Sequence, residues 1–295
     1  MNRKIRVSAP AKINLSLEIV NRFENGFHSL STIMQTVSLF DYLNIEILKI
    51  NDKNEIILSG NSDKIPYDEK NIVYKVLKLY LDEICENGFQ IKVFIEKNIP
   101  TEAGLAGGST DGAAALAGIN ELFENKLSKE KLHQIASKVG SDLNFCLEGG
   151  ACLLSSRGEI VEKKFPYQNF NIVIVKPKNI AISTPQCYKN FSEKYFEKKE
   201  AFYSKKITEI FDNSFSAERL SEYLYNDLEK PAVDIFPEIE KVKQTLLNAG
   251  CKGVLMSGSG SSVFGIYNNK IDLPKNGDWD IFFVQSYPDG AKILN

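Results

Sequence analysis

The sequence predicts a two-domain α+β protein, and three observations support this fold class. The chain has 295 residues, which is long enough for two domains, although one large domain also fits this length. Segments with alternating apolar residues, typical of strands, occur together with segments whose apolar residues recur every three or four positions, typical of helices. A loop rich in glycine and serine lies in each half, at residues 103–112 and 257–262. We expect the domain boundary near residue 160.

Composition narrows the class of protein. The chain is 43% hydrophobic and 25% charged, which is ordinary for a globular protein, and its formal net charge of −2 gives no indication of a nucleic-acid partner. The five cysteines form no C-x-x-C pair, and with two histidines they spell no zinc site. Unpaired thiols fit a reducing compartment, and no stretch approaches the ~20 apolar residues of a membrane span. We therefore expect a cytoplasmic protein without a membrane partner.

The first half begins with a series of strands. In the second of them, Ile13 and Leu15 alternate with Lys12 and Asn14, so the two polar side chains project from the same side. The pattern alone supports a solvated face as well as it supports a functional surface. Strands are expected at residues 3–8, 11–20, 29–39, 42–50 and 54–59.

A glycine-rich loop, Pro100–Gly112, follows an alternating apolar run and precedes an alanine-rich run. This order predicts a strand, a loop and the start of a helix. The first turn of a helix has unpaired N–H groups and the positive end of the helix dipole, and glycines let the backbone close around an anion there. The pattern therefore favours a phosphate-binding loop, and the alternative is a strand-to-helix turn without a ligand.

Helices are predicted from their apolar stripes and their end signals. Asp68 is a candidate cap for one helix, and Ser128 and Gly140 are the expected start and end of another, on which His133 faces away from the apolar stripe. Asp142 lies at the start of a short apolar segment, where a helix cap is the alternative to a functional role. The expected helices are 69–85, the segments after residues 112 and 128, most of 190–225, and 237–248; the expected later strands are 151–155, 159–161, 171–175, 252–256 and 281–284.

Several familiar glycine motifs are absent from the two loops. No Gly-Lys-Ser/Thr follows the glycines, so neither loop is a Walker A loop, and neither has the spacing of a dinucleotide fingerprint or a nucleophile elbow. What remains is Lys12 on a strand, Asp142 beside a helix start, and two loops that can hold an anion. Phosphoryl transfer to an alcohol needs N–H and cationic groups around the phosphoryl group and a carboxylate that accepts the hydroxyl proton.

Three segments together resemble a known superfamily. Pro10-Ala-Lys-Ile-Asn-Leu15, the loop from Pro100 to Asp111, and Met256-Ser-Gly-Ser-Gly-Ser-Ser-Val-Phe264 resemble the three motifs of the small-molecule kinases that include galactokinase, homoserine kinase and mevalonate kinase, the GHMP kinases. Within this superfamily, Asn25-Gly-Phe-His28 and Gly140-Ser-Asp-Leu-Asn-Phe145 resemble the family that acts on a cytidine-diphosphate-linked methylerythritol. The resemblance extends over nearly the whole chain in motif order and spacing.

This resemblance implies a fold and a reaction. It implies an N-terminal α/β domain with a left-handed βαβ unit, over residues 1–160, and a C-terminal ferredoxin-like α+β domain, over residues 161–295. ATP with Mg²⁺ would lie along the glycine loop, and the substrate would lie in the cleft between the domains. The reaction implied is phosphorylation of the substrate's 2-hydroxyl in the non-mevalonate route to isoprenoid precursors.

The resemblance also implies residue roles. Asp142 would be the general base and Lys12 its charge partner, while the metal ligands are unknown and Ser109 is a candidate. The residues implied to bind ATP are Asn71, Lys97, Pro100, Thr101, Glu102, Ala103, Gly104, Leu105, Ala106, Gly107, Gly108, Ser109, Thr110, Gly258, Ser259 and Gly260. The residues implied to bind the cytidine-linked substrate are Asn14, Phe27, His28, Thr184 and Tyr188.

One motif departs from the family pattern. The family usually has Asp-Gly-Tyr-His where this chain has Asn25-Gly-Phe27-His28, so a phenolic hydroxyl is lost, although a phenylalanine ring still stacks on a base.

Two alternatives to this function are a kinase of the homoserine or mevalonate type and a non-catalytic ATP-binding sensor on the same fold. A serine hydrolase that uses Ser109 is a more distant alternative.

Overall fold

The computed structural model describes residues 2–24, 26–50, 53–274 and 277–294, and it contains two β-sheets covered by helices. In the first half the elements are β1 (Asn2–Arg22), β2 (His28–Lys49), β3 (Glu55–Gly60), α1 (Ile72–Ile84), β4 (Phe89–Glu96), α2 (Gly107–Leu122), α3 (Lys129–Val139), α4 (Leu143–Glu148), β5 (Ala151–Ser155) and β6 (Ile160–Lys164). In the second half they are β7 (Asn171–Pro177), α5 (Thr184–Lys194), α6 (Tyr203–Asp212), α7 (Ala217–Glu222), β8 (Tyr225–Asn226), α8 (Glu229–Ile235), α9 (Glu238–Asn248), β9 (Gly253–Met256), β10 (Val263–Tyr267), β11 (Trp279–Gln285) and β12 (Lys292–Leu294). No helix among these described residues is both long and apolar enough to cross a membrane.

The larger sheet is built on two long antiparallel strands, β1 and β2, in the strand order β12–β1–β2–β4–β3, and β5, β6 and β8 pair at its side. The sequence predicted two shorter strands in place of each long one. β1 continues past Pro10 because its pairing with β2 shifts register between Pro10 and Ala11, and such a bulge accommodates a residue that lacks an N–H. Lys12 and Asn14 therefore lie in the middle of one continuous strand.

Strands β3 and β4 are parallel neighbours, and α1 connects them as a βαβ unit. The predicted cap of α1 was wrong. Asn71 caps the helix, since its Oδ1 accepts the N–H of Val73 at 2.9 Å. Asp68 instead accepts the N–H of Lys70, also at 2.9 Å, in the preceding turn. The apolar stripe of α1 is buried as predicted, at Val73, Val76, Leu77, Tyr80 and Leu81.

The smaller sheet has four strands in the order β11–β7–β10–β9, each antiparallel to its neighbours. In chain order its strands are β7, β9, β10 and β11. The last of these lies beside the first, the first beside the third, and the second at the edge, as in a ferredoxin-like sheet. Helices α5 to α9 connect β7 to β9, and α9 packs on this sheet. Between β10 and β11 no helix occurs in residues 268–274 and 277–278, so only one of the two connections of that fold is helical.

The two sheets share a hydrophobic core. Ile13 and Leu15 of β1 belong to one buried cluster with Ile172 of β7 and Phe264 of β10. Strand β12, which the sequence analysis did not predict, returns to pair with β1. The boundary near residue 160 stays a prediction, because this core and this pairing both cross it.

The polar face of β1 is buried as well. Lys12, Asn14, Ser16 and Glu18 are between 0% and 4% exposed, so the alternative of a solvated face is wrong. Buried polar groups require hydrogen-bond partners. Lys12 donates to Asn14 on the same strand, and the other three side chains bond to segments more distant in sequence. The polar face that strand alternation predicts is therefore a buried row of hydrogen-bonding side chains.

Replacing Glu18 with glutamine is expected to destabilise the fold. Its carboxylate accepts the N–H groups of Phe202 at 2.7 Å, Tyr203 at 3.1 Å and Ser204 at 2.9 Å, where α6 begins. Hydrogen bonds to charged groups contribute about 1.5–3 kcal/mol each, so urea unfolding should show a loss of about that size. The control is Glu197→Gln on an exposed position. An equal loss in both variants would contradict this account.

Candidate active site

A cavity of about 1480 Å³ lies between β1, the two glycine loops and α5, and we call it the cleft. It brings most of the sequence-predicted site residues together. Asn71, Leu105 and Thr110 are the predicted residues that do not line it. The predicted residues that do line it are Lys12, Asn14, Phe27, His28, Lys97, Pro100, Thr101, Glu102, Ala103, Gly104, Ala106, Gly107, Gly108, Ser109, Asp142, Thr184, Tyr188, Gly258, Ser259 and Gly260.

Lys12 and Asp142 meet at the centre of the cleft. The Lys12 ammonium lies 2.6 Å from Oδ1 of Asn14 and 3.7 Å from Oδ2 of Asp142. Asp142 immediately precedes α4 but makes no side-chain capping bond, so the alternative of a helix cap is not observed. The lysine side chain is 5% exposed and the aspartate 30% exposed. This arrangement presents a carboxylate to a ligand with a buried cation behind it.

The first glycine loop ends at the N-terminus of α2. Ala106 precedes the helix in a left-handed conformation (φ 57°) and provides no side-chain cap. The first N–H groups of a helix without such a cap are available to an anion. Gly107, Gly108 and Ser109 form this first turn and line the cleft. The loop thus has the backbone geometry of a phosphate-binding site.

The two glycine loops are joined by hydrogen bonds. The Ser257 hydroxyl donates to the carbonyl of Gly104 at 3.0 Å, and the N–H of Ser262 donates to the carbonyl of Ala103 at 3.2 Å. The backbone of Asn14 also donates to the Ser257 hydroxyl, at 3.3 Å. One serine side chain therefore connects β1, the first loop and the second loop.

Asn226 supports the second glycine loop through two side-chain hydrogen bonds. The sequence analysis did not identify this residue. This buried side chain donates to the carbonyls of Met256 at 2.8 Å and Gly258 at 2.7 Å. An amide NH₂ group has two donors and can satisfy two carbonyls of one turn. The only signal in the sequence was the Asn226-Asp227 pair before a helix, which also occurs in ordinary loops.

Lys97 lines the cleft, but its ammonium is directed into the protein. It pairs with Oδ2 of Asp111 at 2.9 Å and with Oδ2 of Asp41, and its side chain is 5% exposed. The three predicted residues outside the cleft are also accounted for. Asn71 caps α1, Leu105 is buried and accepts the N–H of Lys12 at 3.2 Å, and Thr110 is buried in the first turn of α2.

Aromatic side chains line another part of the cleft, which we call its aromatic end. His28 stacks on Tyr188 with ring centroids 5.3 Å apart, and its Nε2 lies 2.7 Å from the Ser192 hydroxyl. Burial, together with the positive charge of Arg22, lowers the pKa of His28, so the neutral imidazole is favoured. Phe27 is 54% exposed and the guanidinium of Arg157 lies 5.3 Å from its ring centroid. The turn residue Asn25 lies outside the described residues.

The sequence analysis missed two arginines that line the cleft, Arg22 and Arg157, because no motif contains them.

The sequence analysis also placed His133 on the surface. Its side chain is partly buried and lies 3.1 Å from Oδ1 of Asn144 and 2.9 Å from Oε1 of Glu148. Its hydrogen bond to Glu148 raises the pKa of His133. Asn144 follows Asp142 by two residues, so this contact braces the short helix α4.

Comparisons with known proteins identify the class. The family model described as GHMP kinases N terminal domain matches residues 71–150, and that described as GHMP kinases C terminal matches residues 205–275. A crystal structure of homoserine kinase from Cytophaga hutchinsonii has a TM-score of 0.74 at 20% identity, covering 99% of this chain and 97% of that one, which shows a shared fold. The predicted α+β fold of the GHMP kinases is confirmed.

Closer relatives define the family within this class. The 4-diphosphocytidyl-2-C-methyl-D-erythritol kinase of Caldicellulosiruptor bescii is 39% identical over 272 residues, covering 92% of each chain. The enzyme of the same name from Clostridioides difficile is 38% identical, covering 91% of this chain and 88% of its own. A crystal structure of 4-(cytidine 5'-diphospho)-2C-methyl-D-erythritol kinase has a TM-score of 0.73 at 27% identity, covering 97% of this chain and 100% of that one. The chain belongs to the 4-diphosphocytidyl-2-C-methyl-D-erythritol kinase family.

Replacing Gly104 with alanine is expected to separate the two loops. Gly104 has a φ of +73°, and a Cβ there would lie 2.0 Å from the carbonyl oxygen of Ser257. Backbone strain and this clash should lower the free energy of unfolding by more than about 1 kcal/mol, measured by urea denaturation. The control is Gly277→Ala, where a Cβ meets nothing within 4 Å. A Gly104→Ala variant as stable as the control would show that the loops do not constrain each other.

Proposed function

We propose that this chain is an ATP-dependent kinase that phosphorylates the 2-hydroxyl of 4-diphosphocytidyl-2-C-methyl-D-erythritol, in the non-mevalonate route to isoprenoid precursors. The observation that carries the proposal is the Lys12–Asp142 pair, which faces the same cleft as two joined glycine loops. The names of relatives up to 39% identical support the substrate. We also propose that residues 1–160 supply most of the ATP site. The cytoplasmic location stays a prediction.

The reaction needs one base and a site for the transferred group. In our proposal Asp142 accepts the proton as the O–H bond of the substrate breaks, while the hydroxyl oxygen forms a bond to the γ-phosphorus and ADP leaves. The buried ammonium of Lys12 stabilises the negative charge that develops on the attacking oxygen. The N–H groups at the start of α2 bind phosphate oxygens. Positioning and charge stabilisation account for most catalysis of this kind.

Mg²⁺ would bind mainly through the phosphates of ATP, as it does in many phosphoryl-transfer sites. Among the described residues, no group of three or more His, Cys, Asp or Glu side chains is placed to hold a metal ion. The Ser109 hydroxyl, in the first turn of α2 and on the cleft wall, is the protein oxygen that we propose for contact with it. The ion would neutralise phosphate charge.

The aromatic end of the cleft fits the cytidine of the substrate. Flat rings accept a base by stacking. The Ser192 hydroxyl donates to the Tyr188 carbonyl and so accepts from Nε2 of His28, which leaves Nδ1 of the neutral imidazole as an acceptor for the base. Tyr188, Phe27 and His28 all line this end. We propose that these three side chains hold the base, and that Asn14 and Thr184 contribute polar contacts. A small acidic substrate, such as homoserine or mevalonate, has no base that would need them.

The direct test is an assay of the purified protein with Mg²⁺-ATP and 4-diphosphocytidyl-2-C-methyl-D-erythritol. We expect phosphorylation of the 2-hydroxyl and release of ADP. Homoserine and mevalonate serve as control substrates, and cytidine nucleotides should compete with the true substrate. ADP release at background level with the cytidine substrate would refute the function, and turnover of a control substrate alone would reassign it.

Replacing Asp142 with asparagine is expected to reduce kcat by about 10²–10⁴-fold, because the general base is removed. The KM for ATP should change little, since the glycine loops are untouched. The matched control is Asp82→Asn on the exposed side of α1, which should keep wild-type rates. Steady-state kinetics decides, and a variant at position 142 with near-normal kcat would show that another group accepts the proton.

Replacing Tyr188 with leucine is expected to weaken binding of the cytidine substrate. Stacking of one base on an aromatic ring contributes about 1–3 kcal/mol, so the KM for this substrate should rise about 10- to 100-fold while the KM for ATP stays constant. Tyr188→Phe keeps the ring and is the control. If both variants raise the KM equally, the hydroxyl and not the ring face makes the contact.

A further inference from the structure

The imidazole ring of His133 contacts both ends of the short helix α4. His133 lies on α3, and its Nδ1 is 3.1 Å from Oδ1 of Asn144 while its Nε2 is 2.9 Å from Oε1 of Glu148. Residues four positions apart lie on the same face of a helix, so one ring can contact both. Asp142 immediately precedes this helix. The ring therefore holds the element that begins at the proposed general base.

The side-chain amide of Asn144 has a defined orientation. Its Nδ2 donates to the carbonyl of Glu159 and to the hydroxyl of Ser137, both at 2.8 Å. The Ser137 hydroxyl uses its own proton on the carbonyl of His133, at 2.9 Å, so it accepts from Asn144. A backbone carbonyl accepts and never donates. The NH₂ group of Asn144 thus faces Glu159, and its oxygen faces the ring of His133.

Both ring nitrogens of His133 consequently face acceptors. Oδ1 of Asn144 carries no proton, and the carboxylate of Glu148 also accepts from the Lys129 ammonium at 2.6 Å, which favours its ionised form. A neutral imidazole has one donor and one acceptor nitrogen, whereas an imidazolium has two donors. Only the protonated ring satisfies both contacts.

We propose that His133 is a cationic positioning residue, whose imidazolium fixes the start of α4 and so holds Asp142 where it can accept the substrate's proton. This inference rests on the proposed function, since Asp142 is the base of that reaction. When the ring loses a proton it keeps the one on Nε2, which faces the charged Glu148. The lone pair of Nδ1 then faces Oδ1 of Asn144, and the amide must turn. A turned amide loses its bond to the carbonyl of Glu159, and the first turn of α4 is no longer fixed.

The nearest charges favour the protonated ring. The hydrogen bond to Glu148 raises the pKa of His133, and the bond to Asn144 acts in the same direction. Burial and the charge of Lys129 oppose them without cancelling them. Because the folded value is raised above the ordinary 6.5, the stability that protonation contributes is present below pH 6.5. It is lost as the pH rises through the folded pKa.

Other titratable groups on the neighbouring elements have other partners. Helices α1, α2 and α4 pack on α3, and α4 also packs on β6. Glu130, on α3 itself, is exposed. The remaining groups are Glu83 of α1 paired with Lys131, Glu121 of α2 bonded to Asn125, Asp111 of α2 paired with Lys97, Asp142 paired with Lys12, the buried thiol of Cys146 in α4, and Lys164 of β6 bonded to the carbonyl of Glu148.

Proton NMR of the ring C–H signals measures the protonation directly. The chain has two histidines, His28 and His133, so the spectrum of His133→Gln assigns both signals. We expect His133 to titrate above 6.5 and His28 below it. In Glu148→Gln, which removes the carboxylate, His133 should titrate at a lower pH than in the wild type. Titration of wild-type His133 at or below 6.5 would overturn the proposal.

Rate profiles test the positioning role. In the wild type, kcat should fall as the pH rises through the pKa measured for His133, and in Glu148→Gln this fall should begin at lower pH. His133→Gln is neutral throughout, so its kcat should be about tenfold lower below that pKa and should not respond to it, because small displacements of a catalytic group are costly. The KM for ATP should stay constant in all of them.

The control for these profiles is Gln134→Ala, an exposed neighbour on α3, which should keep the wild-type profile. If kcat of His133→Gln follows the same pH profile as the wild type, the ring does not position the base and the proposal fails.

Amide hydrogen exchange tests the same role without turnover. The N–H of Cys146 donates to the carbonyl of Asp142 at 3.0 Å, which is the first hydrogen bond of α4. After correction for intrinsic exchange rates, its protection in the wild type should fall as the pH rises through the pKa of His133. In His133→Gln it should be low at every pH, and equal protection in both proteins would overturn the proposal. If the wild type phosphorylates no cytidine substrate, the proposed function fails, and exchange together with the NMR titration still decides whether the protonated ring fixes α4.

Discussion

Hydrogen bonds hold the two glycine loops against each other, and the arrangement of the cleft follows from them. The Ser257 hydroxyl is bonded to the Gly104 carbonyl and to the backbone of Asn14, so a loop from each half is fixed to the same strand. The close approach leaves no space for a Cβ at Gly104. This contact places the N-terminus of α2, which can bind phosphate, in the same cleft as the Lys12–Asp142 pair. Neither half of the chain alone contains this arrangement.

The sequence predicted the family, the reaction class and the fold, because the three motifs are local and their order is specific. It also predicted that Lys12 and Asn14 share one face, since strand alternation is a local property. The register shift at Pro10 and the return of β12 depend on pairing between distant segments, so alternation could not reveal them. Asn226 was not predicted for the same reason, because its role depends on the folded second loop, whose carbonyls accept its two hydrogen bonds.

The residue roles are less certain from sequence than the fold. Lys97 was assigned to the adenosine pocket, and it does line the cleft, but its ammonium is bound to two buried aspartates. Asn71 caps α1, and its side chain also donates to the carbonyl of Pro66 at 2.6 Å. Their contacts with ATP stay predictions. A motif match indicates which residue occupies a position of the family's site. The direction of its side chain is set by the charges and hydrogen-bonding groups that surround it.

Lys12 and Lys97 are thus both engaged by carboxylates of the protein, Lys12 by Asp142 in the cleft and Lys97 by Asp41 and Asp111 behind its wall. A paired lysine attracts a distant phosphate only weakly, because its field is cancelled beyond a few ångströms. The N–H groups at the start of α2 are a further source of attraction for phosphate, beside the metal ion that accompanies the nucleotide and the other basic side chains that line the cleft, which are Arg22, Lys64, Arg157 and Lys189. Hydrogen bonds from these N–H groups are directional and short-ranged. The glycine loop therefore selects for phosphate geometry, and this suits an enzyme whose two substrates both carry a diphosphate.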